Sequence, residues 1–213
     1  MIACSPNLTR RFLLAALAAC FALSTPIRAD SPDGPALISA LRQGGYVIVM
    51  RHPSSPFTVP DKAQADPANT KLERQLDDTG RKTAQEMGDA FRQLHIPVGD
   101  VLSSPTFRAV ESVRLAKFGQ PKRLAQLDDG GQSMQAKADD ERSTWLRKKV
   151  TESPRSGTNT VIVTHTPNLT GAFGQEAAGM AAGEALIFHP DGKQAHLLTR
   201  IKIEEWPRLA SSP

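Results

Sequence analysis

The sequence predicts an α/β fold: a three-layer α/β/α sandwich around a mostly parallel central sheet. Tyr46-Val47-Ile48-Val49-Met50 is a continuous apolar run with β-branched residues, the pattern of a strand buried on both faces, and Thr160-Val161-Ile162-Val163-Thr164 repeats that pattern. Segments of helical periodicity alternate with these runs and with shorter strand patterns, which is the order that builds a parallel sheet covered by helices. Each of the two runs leads directly to a histidine, His52 and His165.

Taken in order, Pro35 to Arg42 reads as a short helix closed by Gly44-Gly45, and the first buried strand follows, ending at Arg51-His52-Pro53. Residues Ser54 to Thr70 are rich in Pro, Ser, Asp and Ala and read as a long loop. Thr79 to Leu94 is helical, with Ala84, Met87, Phe91 and Leu94 on one stripe. Val98 to Ser103 is a second strand. Ser104-Pro105 then opens a helix, Ser as N-cap and Pro in the first turn, running to about Phe118 with Ala109, Val113 and Ala116 inward. Arg123 to Leu127 is a third strand and Ser133 to Val150 a helix with a poor stripe. Thr160 to Thr164 is the second buried strand, and Thr166-Pro167 another N-cap and first-turn pair. Glu184 to Phe188 and His196 to Ile203 are strands joined across Pro190-Asp191-Gly192-Lys193, a turn sequence.

The first 29 residues read differently. Asn7 to Arg11 is short and positive, Phe12 to Leu23 is apolar throughout, and Pro26 and small residues follow, which is the layout of an export signal. The apolar run is too short for a bilayer, which takes about 20 residues. Cleavage fits after Ala29 or after Ser24, and Arg10-Arg11 leaves the Sec and twin-arginine routes both open. The expected organisation is therefore residues 1–29 as signal and 30–213 as one domain, exported to the periplasm or beyond, with no stable membrane insertion after cleavage. Both cysteines, Cys4 and Cys20, fall in the signal, so cysteine chemistry and disulfides are excluded from the mature chain. The formal charge of +4 falls to +1 once Arg10, Arg11 and Arg28 are removed, which argues against a nucleic-acid partner.

In open α/β sheets ligands sit beyond the carboxyl ends of the strands, which brings His52 and His165 to one crevice. Arg51 precedes His52, and Arg108 lies in the first turns of the helix opened by Ser104-Pro105. Two arginines, two histidines and two helix N-termini make an anion site. Phosphate fits it best, because guanidinium groups clamp its oxygens and an imidazole can attack phosphorus. Arginines supply the positioning and charge neutralisation of phosphoryl transfer with no metal and no cofactor, and no histidine or carboxylate spacing suggests a zinc site. His95, His189 and His196 read as structural or surface residues, and Arg147-Lys148-Lys149 as a solvated helix face. Glu73 and Arg74 stand near the pocket in chain order without an assigned role.

Four segments occur in order: Val47-Ile48-Val49-Met50-Arg51-His52, Leu76-Asp77-Asp78-Thr79-Gly80, Leu102-Ser103-Ser104-Pro105-Thr106-Phe107-Arg108-Ala109 and Val161-Ile162-Val163-Thr164-His165. Together they resemble the histidine phosphatase, or phosphoglycerate-mutase-like, superfamily, on its compact bacterial branch, over nearly all of the mature chain. The resemblance implies a histidine phosphatase-like fold and assigns roles. His52 is the nucleophile and phosphohistidine carrier, Arg51 and Arg108 bind phosphate oxygens, and His165 stabilises the transferring group. The family's leaving-group glutamate has its best match in Asp129, with Asp128 or Glu184 as alternatives, or no acid at all for a phosphohistidine substrate. Pro53 departs from the family's usual glycine and lacks an N–H. The expected function is a metal-independent phosphatase acting on a phosphorylated small molecule, an envelope glycolipid or a phosphoprotein. A phosphomutase and a phospholigand-binding module without turnover are the alternatives.

Overall fold

The computed structural model describes residues 34–56, 71, 73–129 and 140–211. The export-signal reading of residues 1–29 lies outside them, as do most of the Ser54 to Thr70 loop and the start of the helix expected from Ser133.

The chain runs α1 (Gly34–Gln43), β1 (Val47–Arg51), α2 (Asp78–Gln93), β2 (Val98–Ser103), α3 (Phe107–Ala116), β3 (Lys122–Arg123), α4 (Glu141–Lys149), β4 (Asn159–Thr164), α5 (Thr166–Phe173), β5 (Ala185–Pro190), β6 (Ala195–Ile201) and α6 (Glu205–Ser211). The six strands form one sheet in the order β3-β2-β4-β1-β5-β6. β1, β2, β3 and β4 pair in parallel, and the β5–β6 hairpin adds antiparallel to β1.

Period-two alternation divides the apolar residues between two cores. Ile48, Met50, Val161, Val163 and Ile187 face one side, where α1, α2, α3 and α6 bring Leu41, Met87, Phe91, Val113 and Trp206. Val47, Val49, Ile162, Leu186 and Phe188 face the other, against Leu146 and Val150 of the α4 segment and Leu169 of α5. Helices on both faces make the three layers expected.

Several local readings change. Gly44 and Gly45 do close α1, at φ of 78° and 95°. The N-cap of α3 is Thr106 rather than Ser104, and that of α5 is His165 rather than Thr166, with Pro167 still in the first turn. The strand expected over Arg123 to Leu127 is only Lys122–Arg123, followed by a 3-10 turn over Ala125–Leu127. Leu127 faces the core from that turn, so one apolar residue in a polar stretch does not require a strand. α6 is unanticipated from sequence: Trp206 is its only fully buried side chain, too little for a periodic stripe.

Two features of the fold place the site. Parallel pairing sets Arg51 beside Thr164, and the His52 N–H continues the ladder to the Thr164 carbonyl at 3.0 Å. Both histidines therefore leave adjacent strands at the same end of the sheet. α2 is capped by Asp77, whose carboxylate accepts from the Gly80 N–H at 2.7 Å and from Ser54 Oγ at 2.6 Å. A side chain at Gly80 would put Cβ 2.1 Å from the Ser54 carbonyl oxygen, so the glycine lets α2 press against the segment that follows His52.

Candidate active site

The site collects residues from the carboxyl ends of β1, β2 and β4 and from the segment after β3. His52 is buried, and its Nδ1 lies 2.7 Å from the Pro53 carbonyl oxygen. A carbonyl can only accept, so Nδ1 carries the proton and Nε2 presents its lone pair. Arg108 Nε donates to that Nε2 at 3.2 Å, and an Arg74 terminal nitrogen lies at the same distance. Burial first, then the His165 and Arg108 charges, hold the His52 pKa well below the ordinary histidine value. The ring is neutral at physiological pH, with its free nitrogen aimed among guanidinium groups.

His165 is equally buried, its ring centroid 5.2 Å from that of His52. Arg108 donates to Nδ1 at 3.2 Å, so the Nε2–H donates to Ser104 Oγ at 2.8 Å. Burial, then Arg108, Arg74 and Arg51, depress its pKa well below the usual value. Arg108 also donates to the buried carboxylate of Asp129. Burial lowers the pKa of Arg108 and the Asp129 charge works against that shift. Asn168 donates to the Gln126 and Asp128 carbonyls at 3.2 Å each, and Thr164 Oγ1 to that of Leu127 at 2.8 Å. These bonds pin the segment carrying Asp128 and Asp129.

Asp128, Asp129 and His165 present ligand atoms within 4.8 Å of one another, close enough to hold a cation. The Arg108 guanidinium already enters this cluster, bonded to Asp129 and His165. The positive charge there comes from the chain itself.

The structure places His52, His165 and Asp129 around Arg108, which bonds to all three. Arg51 is half-buried; its guanidinium donates to the Met180 carbonyl at 3.1 Å and its charge acts on both His165 and Arg74. Glu184, the second alternative for the leaving-group acid, is engaged elsewhere. Its carboxylate accepts from Arg200 Nε at 2.8 Å and from the Ala181 N–H at 2.7 Å. Burial acts to raise its pKa, but Arg200 and the Ala181 N–H more than offset that and hold it below the ordinary value. Nor does α3 offer a free first turn to an anion: the Phe107 N–H donates to Glu73 and the Thr106 N–H to Ser104 Oγ.

The residue left without a role was Arg74. It is buried, bonds to Ser55 Oγ at 3.0 Å and reaches Nε2 of His52 at 3.2 Å. Burial and the neighbouring Arg108 lower its pKa to about 10, with a smaller push from Arg51 and an opposing one from Asp129, so it stays cationic at neutral pH. No periodicity marks it in sequence. Its one cue is its position just ahead of the Leu76 to Gly80 segment that packs under the His52 loop.

No family model matches the chain, and neither does any curated protein. Solved structures do. The protein histidine phosphatase SixA complexed with tungstate superposes with a TM-score of 0.53 at 14% identity, covering 75% of this chain and 98% of that one. The chain has a histidine phosphatase-like fold. The candidate phosphohistidine phosphatase SixA from Agrobacterium tumefaciens gives a TM-score of 0.51 at 16% identity, over 74% of this chain and 97% of its own. Its counterpart from Nakamurella multipartitia gives 0.50 at 18%, over 74% and 95%.

Proposed function

We propose that the chain is a metal-independent phosphatase that hydrolyses phosphomonoesters or phosphohistidine through a phosphoryl intermediate on His52. One observation carries the reading: a buried, neutral imidazole whose Nδ1–H is fixed on the Pro53 carbonyl points its unprotonated Nε2 at two guanidinium groups, in the place a phosphoryl group would take. Such a nitrogen is nucleophilic at neutral pH and sits where phosphate oxygens would be clamped.

Nε2 attacks phosphorus in line, the P–N bond forms, and the bond to the leaving oxygen or nitrogen breaks. Arg51, Arg74 and Arg108 balance the charge on the phosphoryl oxygens, and the His165 edge faces the same group. The leaving group takes a proton. Asp129 is engaged with Arg108, whereas the Asp128 carboxylate makes no hydrogen bond to a described residue and lies within 4.8 Å of Asp129 and His165. Asp128 or solvent is therefore the proton source in this reading, and phosphohistidine, a good leaving group, needs neither. Water then attacks phosphorus, giving its proton back to Asp128 or to solvent; the P–N bond breaks, its electron pair returns to Nε2, and inorganic phosphate leaves.

Pro53 does not oppose turnover, because its carbonyl fixes the His52 tautomer whether or not an N–H is present. An exported chain would meet phosphorylated small molecules, envelope glycolipids or phosphoproteins. Among the described residues no helix is long and apolar enough to cross a membrane. The test is hydrolysis of p-nitrophenyl phosphate with EDTA present, beside His52→Ala. Turnover that survives EDTA and disappears in the variant is expected; equal turnover in both proteins would remove His52 from the mechanism.

A further inference from the structure

Glu184 and Arg200 lie outside the set of residues around His52, yet both grip the segment on which that set rests. Residues 174–184 connect α5 to β5. On the side of the site, the Arg51 guanidinium donates to the Met180 carbonyl at 3.1 Å, the Gly183 N–H donates to the His52 carbonyl at 3.1 Å, and the Arg51 N–H donates to the Glu184 carbonyl at 3.1 Å. On the other side, Arg200 of β6 donates through Nε to Glu184 Oε1 at 2.8 Å and through a terminal nitrogen to the carbonyls of Ala178 at 2.9 Å and Glu176 at 3.4 Å. Glu184 Oε2 accepts from the Ala181 N–H at 2.7 Å. One ion pair thus ties down both the entry of the segment and its turn, and the Met180 carbonyl lies between those anchors.

The Glu184 carboxylate is nearly closed off from solvent, with 7% of its side chain exposed, while that of Arg200 keeps 32%. The pair is mostly sheltered, so removing one partner costs stability as well as geometry. The geometric effect is the one that reaches the site. Arg51 is a long side chain whose rotamers must be fixed before its remaining N–H groups can meet a phosphate, and its one hydrogen bond to a described residue from the guanidinium is to Met180.

We propose that Glu184 and Arg200 are a positioning pair for Arg51: they hold the Met180 carbonyl where it orients the Arg51 guanidinium toward the phosphoryl group. The proposal rests on the phosphatase reading, because it assigns Arg51 to phosphate. Neither residue touches substrate. The pair sets how well phosphate is bound, and through it the transition state.

The test is a double-mutant cycle on inorganic phosphate affinity, measured by calorimetry and as competitive inhibition of p-nitrophenyl phosphate hydrolysis. Arg200→Met and Arg51→Met are made singly and together, with unfolding midpoints recorded for each. Arg200→Met should weaken phosphate binding about tenfold, and Arg200→Lys should recover part of the loss. In the Arg51→Met background the same change should have almost no effect, because the residue it positions is gone. Equal weakening by Arg200→Met with and without Arg51 would overturn the proposal, since a purely structural role is additive. Glu184→Gln in place of Arg200→Met reads the same cycle and stands in if the arginine variant does not fold. Wild-type protein that binds no phosphate would instead overturn the phosphatase reading, and the pair's role with it.

Discussion

Acidification is expected to unfold this protein through His52 and His165. In the unfolded chain each imidazole titrates near 6.5. In the folded chain both are held well below that value, chiefly by burial, then for His52 by His165 and Arg108 and for His165 by Arg108, Arg74 and Arg51. The unfolded state therefore binds more protons as pH falls through 6.5, and stability drops with it. At about pH 5.5 each unfolded histidine gains ~1.4 kcal/mol from protonation, and at pH 7 only ~0.2 kcal/mol. The difference is about 2.5 kcal/mol for the two together. His95, His189 and His196 are exposed. Carboxylates held below their usual range, Asp77 and Glu184, act only below about pH 4.5. Urea denaturation at both pH values reads the effect directly, and His52→Gln or His165→Gln should each remove about half of it. A wild-type loss under ~0.5 kcal/mol, or an unchanged loss in both variants, would refute the buried neutral histidines.

Replacing Arg108 by Met strips a buried carboxylate of its partner, so Arg108→Met should cost about 3–5 kcal/mol in denaturant melts. Adding Asp129→Asn should restore much of that stability while activity stays lost. Arg74→Gln removes one charged donor from the nucleophilic nitrogen. It should raise KM or the phosphate inhibition constant by about 10- to 100-fold with an unchanged fold; no change would return Arg74 to a structural role. Gly80→Ala forces Cβ onto the Ser54 carbonyl. It should cost about 1–3 kcal/mol and lower kcat/KM, because the segment displaced begins two residues after His52.

The core of the fold was legible because its strands obey one rule. β1 and β4 are buried on both faces, so Val47 to Met50 and Val161 to Val163 are apolar without a break, and their β-branched content and short length mark them as strands. Their histidines were legible because parallel neighbouring strands end at the same side of the sheet. Arg108 was found from its place after Ser104-Pro105, although Ser104 bonds His165 and the Thr106 N–H instead of acting as the N-cap. What escaped depends on tertiary contact alone. Arg74 enters the site from an irregular segment, where no period fixes the direction of a side chain. Glu184 looked like an acid at a strand start, and only Arg200, sixteen positions on in the antiparallel partner strand, shows why it is there. The Asp129 carboxylate is engaged with a guanidinium, which spacing from Arg108 could not reveal.

The central claim is a phosphoryl group carried on His52 Nε2. Brief mixing of the protein with a phosphoryl donor, rapid quench at alkaline pH, and peptide mass spectrometry test it most directly. The account predicts one acid-labile, alkali-stable phosphoryl group on the peptide containing His52, absent in His52→Ala and longer-lived when Asp128 is changed to Asn. Turnover with no such adduct, or with the phosphoryl group on His165 or a hydroxyl side chain, would contradict it.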